Sequence, residues 1–188
     1  MIMVNIETSS SWRKGRPPRA HDQGRLRYEG QKRYCTRRRF VNTPCRIWTY
    51  STSDSRHIEC KVDIKQFATA TAIFFNEWFK MGTVKVYTAF KGQYDVKQKA
   101  CMLVYNKGTT ELQCMMYYSR REGCAVVQVK THQGQTYFDL RVQDPYLKEG
   151  PSSKCVQKFA KWAPQGRDIY DVSCKGILSR NKTSVQQK

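Results

Sequence analysis

Three features of the sequence predict an all-β fold closed by a single helix. Eight short apolar runs succeed one another from Arg46 onward, turn residues separate them, and a cysteine-bearing stretch of helical period comes last. The runs read RIWTY, HIECKVDI, TATAIFFNEWF, TVKVYTAF, KACMLVY, ELQCMMYY, CAVVQV and TYFDLRV, and between them lie STSDS, FKMG, KGQYD, NKGT, SRREG and THQGQ. Short β-branched and aromatic runs with Gly, Asp, Ser and Asn turns at this spacing mark an up-and-down sheet, a sandwich or a barrel.

Taken in order, the second run alternates: Ile58, Cys60, Val62 and Ile64 share one face, and His57, Glu59, Lys61 and Asp63 the other. Period two is the mark of a half-buried strand. The third and fifth runs are apolar on both faces. That fits a packed core, or a barrel with an apolar lumen and an apolar outer seam under a helix. The fifth and sixth runs flank NKGT. A two-residue turn at Lys107–Gly108 sets Cys101 opposite Cys114 at a non-hydrogen-bonded position, where Cα atoms lie about 4.5 Å apart, within reach of a disulfide. Two reduced core cysteines are the alternative. The eighth run alternates again, Phe138, Leu140 and Val142 against Tyr137, Asp139 and Arg141. The helix is expected to start near Pro151, to bury Val156, Phe159, Ala160 and Ala163, and to end at Pro164 and Gly166.

A chain of 188 residues is one domain by length, with room for a real core. No run reaches membrane-spanning length. The net charge of +19 is uneven, because residues 1–46 hold 12 Lys/Arg against 3 Asp/Glu. Residues 1–45 are therefore expected to form a basic, disordered arm, 46–178 the folded domain, and 179–188 a flexible tail. Clusters such as Arg37–Arg39 admit a polyanion as partner.

Eight cysteines, at 35, 45, 60, 101, 114, 124, 155 and 174, point to disulfides and an oxidising compartment. The opening MIMVNIETSSSWRKG has no basic region ahead of an apolar run, so secretion is inferred from the cysteines and not from a leader. Their spacing contains no zinc-binding pair, and no metal or cofactor is expected. Cys35 and Cys45 stay unassigned. The sequon Asn181-Lys182-Thr183 fits an exposed, glycosylated C-terminus. His21, His57 and His132 sit in unrelated contexts, and no phosphate loop or nucleophile motif occurs, so no enzyme is expected.

From Ile47 to Leu178 the chain resembles the tick salivary lipocalins of the histamine-binding type. IWTYSTSDSRHIECKVDI is similar to that family's first hairpin, YYSRREGCAVVQV and YFDLRV to its late strands, and GPSSKCVQKFAKWA with DIYDVSC to its closing helix and terminal cysteine. The resemblance implies an eight-stranded antiparallel barrel with a C-terminal helix packed outside, and bridges Cys60–Cys174 and Cys124–Cys155. It also implies a secreted, monomeric protein that sequesters a small host mediator, an amine such as histamine or a fatty acid or eicosanoid, against host inflammatory defence. The family's amine-binding motif is only part-kept: Glu111-Leu112 is present, but Met102 stands where the motif has Asp and Gln113 where it has an aromatic residue. That departure, with the positive net charge, ranks a lipid above an amine.

Candidate lumen residues are Trp48, Tyr50, Phe74, Trp78, Val86, Tyr105, Met115, Tyr117 and Phe138, with Glu77 and Glu111 as the inward carboxylates; Glu59, Asp63 and Asp139 are expected on the outer face. The alternative function is an interaction module, its barrel filled by its own side chains and its basic surface binding a host protein or polyanion.

Overall fold

The computed structural model describes residues 40–98, 100–179 and, for the backbone alone, 184–186. Eight antiparallel strands follow the eight runs: β1 (Ile47–Thr52), β2 (Glu59–Ala68), β3 (Ala72–Met81), β4 (Val84–Tyr94), β5 (Cys101–Tyr105), β6 (Thr110–Ser119), β7 (Cys124–Thr131) and β8 (Thr136–Gln143). Each pairs with the next, β8 pairs back to β1, and the barrel of eight is closed. Two short strands extend it: β9 (Arg167–Asp168) on β1, and β10 (Ser184–Gln186), parallel to β4. The helix α1 (Ser153–Trp162) follows β8 and a 3-10 turn at Asp144–Tyr146, and a 3-10 helix at Val172–Leu178 ends the domain.

The bridges Cys60–Cys174, Cys124–Cys155 and Cys101–Cys114 are all present, and Cys101 is paired in register with Cys114. Cys45 is disulfide-bonded as well. The hairpin register argued from Lys107–Gly108 therefore holds: Asn106 takes its amide to Thr109, and Asn106 Oδ1 accepts from the Gly108 and Thr109 amides.

Two layers of packing share the barrel wall. One face of β1, β2, β7 and β8 presents Trp48, Val62, Val126, Leu140 and Val142, which pack with Cys155, Phe159 and Ala163 of the helix and Ile177 of the 3-10 helix. That face is the outside of the barrel, sealed by the C-terminal elements. The opposite parity points inward. Arg141 on β8 reaches Asp63 on β2 and Gln113 on β6, each two strands away, which is possible only across the concave side.

The helix starts where Ser152 caps it by accepting from the Cys155 amide. Its buried face differs from the expected one: Cys155, Phe159 and Ala163 are buried, while Val156 and Ala160 are exposed. The bridge to Cys124 fixes the rotation, because it draws Cys155 onto β7.

Residues 40–45, placed in the arm by composition, are packed: Phe40, Thr43 and Cys45 are buried, and Phe40 closes one end of the barrel against Ile47, Ala125 and Tyr118. Residues 1–39, Asn181 and the side chains of the tail lie outside the described residues.

Candidate functional site

The inner face of the strands carries charge. On β8, Asp139 and Arg141 are inward by alternation with Leu140 and Val142. Arg141 donates to Asp139 Oδ2 from Nη2 at 3.0 Å, to Asp63 Oδ2 from Nη1 at 3.2 Å, and to Gln113 Oε1 from Nη1 at 3.1 Å. On β2, Lys61 Nζ lies 3.3 Å from Glu77 Oε2 and 3.5 Å from Asp139 Oδ2. Thr52 donates its hydroxyl to Asp139 Oδ1 at 2.7 Å, and Gln113 passes the network on to Glu111 Oε2 at 3.1 Å. Lys61, Asp139 and Arg141 are each no more than 2% exposed.

Burial alone would neutralise such groups, so the partners decide their states. For Lys61, burial pulls the ammonium down, but Asp139 and Glu77 outweigh it and hold it well above the ordinary lysine range. Arg141 is likewise raised despite burial, by Asp63 and Asp139. Burial opposes the Asp139 carboxylate, yet Lys61, Arg141 and the Thr52 hydroxyl hold it below the usual range. Asp63 goes the other way. Desolvation exceeds the pull of Arg141, the Glu77 charge adds to it, and the carboxyl is pushed up to about 7. Its Oδ1 is buried with no hydrogen-bond partner among the described residues.

That oxygen belongs to a residue lining a cavity of about 20 Å³ in the barrel, enough for a single water. Val41, Ile47, Ile73, Phe75 and Met102 form its apolar wall, and Asp63, Lys65 and Arg141 its polar one. Met102 is unbranched and adaptable, whereas Lys65 donates from Nζ to Asn42 Oδ1 at 2.9 Å.

Of the residues singled out from the sequence, Glu77 and Glu111 join the inward network, Met115 packs on the inner face beside Val127, and Val86 packs with Ile58, Phe79 and Ile169. Trp48, Tyr50, Trp78, Tyr117 and Phe138 do not line the lumen. They lie on the outer face, in the cluster that the helix and the 3-10 helix cover; Phe138, for one, stacks on Trp162. Phe74 and Tyr105 are on the outer wall of β3 and β5, where Phe74 stacks on Phe67 and Lys91 lies over both rings. In place of the aromatic lumen expected from these strands there is a mixed one, an ionic network flanked by the apolar clusters of Ile73, Phe75, Met102 and Val104 and of Phe40, Ile47, Val127 and Val129. Asp63 and Asp139, expected outside, are inside, while Glu59 is exposed. Lys61, Gln113, Tyr137 and Arg141 were not among the candidates. A signal for them existed: β2 and β8 each alternate a large apolar face with a face of opposite charges, and an apolar helix face nearby must cover the former, turning the charges in.

Two solved structures that this fold matches are lipocalin barrels. Japanin from Rhipicephalus appendiculatus, bound to cholesterol, superposes with a TM-score of 0.56 at 12% identity, covering 73% of this chain and 99% of japanin. Apocrustacyanin C2 superposes with a TM-score of 0.50 at 10% identity, covering 81% of this chain and 87% of its own. No curated protein matches by sequence. The family model described as tick histamine binding protein matches residues 42–176, from the packed segment before β1 into the 3-10 helix. Barrel, outer helix and the span of that match agree, and the chain belongs to the tick histamine-binding protein family of lipocalins.

Proposed function

We propose that the protein is a secreted lipocalin that sequesters a small cationic mediator, a biogenic amine, with the Asp63 carboxylate as its anchor. The observation that carries this is the Asp63 Oδ1: a buried acceptor without a partner among the described residues, on a residue lining a cavity beside the Phe75 ring. An ammonium or imidazolium donor supplies the missing hydrogen bond and draws the carboxyl into its ionised form, and an aromatic face completes the recognition. Four inward carboxylates, Asp63, Glu77, Glu111 and Asp139, meet three inward cations, Lys61, Lys65 and Arg141, so the charges nearly balance and the open acceptor, not a net acidic charge, favours a cation. Admitting a ligand the size of histamine requires Met102 and Lys65 to turn away from the cavity.

This reverses the ranking that Met102 and Gln113 give from the motif alone. Both face inward and neither carries charge, but Asp63 supplies the carboxylate from another strand. An acyl chain laid along the lumen would leave the Asp63 Oδ1 acceptor without a donor.

The test is calorimetry with histamine, serotonin and a leukotriene on the native chain and on Asp63→Asn. Histamine or serotonin should bind, more weakly below pH 7 than above it. Asp63→Asn should lose roughly tenfold or more, since a charge-assisted hydrogen bond contributes about 1.5–3 kcal/mol. Tighter leukotriene binding, or amine affinity indifferent to Asp63→Asn, refutes the assignment. No binding of any of the three favours the interaction module.

A further inference from the structure

The Lys61 ammonium is held by two carboxylates beside an aromatic ring. Its Nζ lies between Glu77 Oε2 and Asp139 Oδ2, at 3.3 and 3.5 Å, and 5.9 Å from the centroid of the Tyr137 ring. Two carboxylates and an aromatic face at these distances are what recognition of an alkylammonium needs. The side chain is 3% exposed, so the cation is enclosed as a bound ligand is.

The two carboxylates depend on it unequally. Asp139 keeps Arg141 and Thr52 if the ammonium is removed. Glu77, among the described residues, forms its ion pair with Lys61 alone. An enclosed carboxylate with a single tethered partner is a cation site already filled.

We propose that Lys61 is the built-in occupant of an ammonium cage formed by Glu77, Asp139 and Tyr137, and that its side chain keeps an amine ligand out of the middle of the barrel. The consequence is specificity by exclusion. A free amine is left with the position at Asp63, the cross-strand neighbour of Glu77, which Arg141 joins to Asp139. The cage does not require an amine at Asp63 in the native chain, and the two claims fail separately.

Truncating Lys61 to alanine removes three methylenes and the ammonium, the outline of n-propylammonium. Lys61→Ala should lose thermal stability and regain most of it in millimolar n-propylammonium, but not in 1-propanol, which has the same length without the charge. Calorimetry should show one further equivalent of the amine that the native chain does not take up at the same concentration. Adding Asp63→Asn should leave that equivalent in place, which separates it from the anchor proposed above. Glu77→Gln on the same background should abolish it. Equal effects of amine and alcohol overturn the proposal. So does a Lys61→Ala chain that refolds with neither. On the native protein, reductive methylation should modify exposed lysines such as Lys107 and spare Lys61; equal rates at the two would also overturn it.

Discussion

At the scale of single residues, the lumen shows how one chemistry takes opposite protonation states over a few ångströms. Asp139 and Asp63 are both carboxylates buried against Arg141, yet burial wins at Asp63 and the cations win at Asp139. The difference is partners: Asp139 has Lys61, Arg141 and Thr52, whereas Asp63 has Arg141 on one oxygen and nothing on the other. The stability consequence follows from linkage. With its folded pKa raised from 3.8 to about 7, Asp63 holds a proton that the unfolded chain has released, so its cost to the fold grows as pH rises from about 4 to 7 and stays constant above. Asn at this position removes the ionisation. Asp63→Asn is therefore expected to raise Tm by a few degrees at pH 8 and by nothing at pH 4, where each kcal/mol is worth roughly 2–4 °C. Thermal scans across that range decide it; a gain that is largest in acid would contradict the assignment. The same substitution should weaken amine binding, so stability and function oppose each other at this carboxyl.

Among the elements, those whose partner is local were legible in the sequence, and those fixed by distant contacts were not. All eight strands fall on the runs, because alternation and turn residues are local. The helix lies within a turn of the bounds the sequence predicts, yet it buries Cys155 in place of Val156 and Ala160, because the Cys124–Cys155 bridge and not the apolar period decides its rotation. Facing was the larger loss: a period of two tells the faces of a strand apart but not which is inside. The β6–β7 hairpin gives an element-scale test. Gly123 has φ +59°, and a Cβ there would strike the Tyr146 ring, while the Gly123 carbonyl accepts from the Gln143 amide at 2.8 Å. Gly134, in the β7–β8 hairpin, has φ +83° with nothing near a would-be Cβ. Both alanine substitutions pay for the left-handed backbone, about 1–2 kcal/mol. Gly123→Ala alone must also displace the ring, a further 1–3 kcal/mol or so. Denaturant midpoints should show Gly123→Ala clearly the worse; parity would mean that Tyr146 yields freely.

For the whole molecule, the barrel encloses an ionic network between apolar clusters and carries a further apolar seam outside, and it folds because the segment after β8 covers that outer seam. Trp48, Val62, Leu140 and Val142 are buried by α1 and the 3-10 helix, not by a lumen core. Two bridges hold this cover down, Cys124–Cys155 at the helix and Cys60–Cys174 at the chain's end. The latter also anchors the kink where Cys60 takes φ +55° and its amide turns from the sheet to the Ile169 carbonyl. Cys101–Cys114 differs in kind, since it staples two strands already paired by backbone hydrogen bonds. Loop-closure entropy gives about 5 kcal/mol for the Cys60–Cys174 span of 114 residues and about 3 for the 13 of Cys101–Cys114. Detachment of the cover adds to the first and not to the second. The double serine variant at Cys60 and Cys174 is therefore expected to lower Tm by on the order of 10 °C, to bind a hydrophobic dye as the Trp48 seam opens, and to exceed the Cys101/Cys114 pair in both. Equal losses from the two pairs, or no dye binding by the first, would mean that the cover stays seated through packing alone.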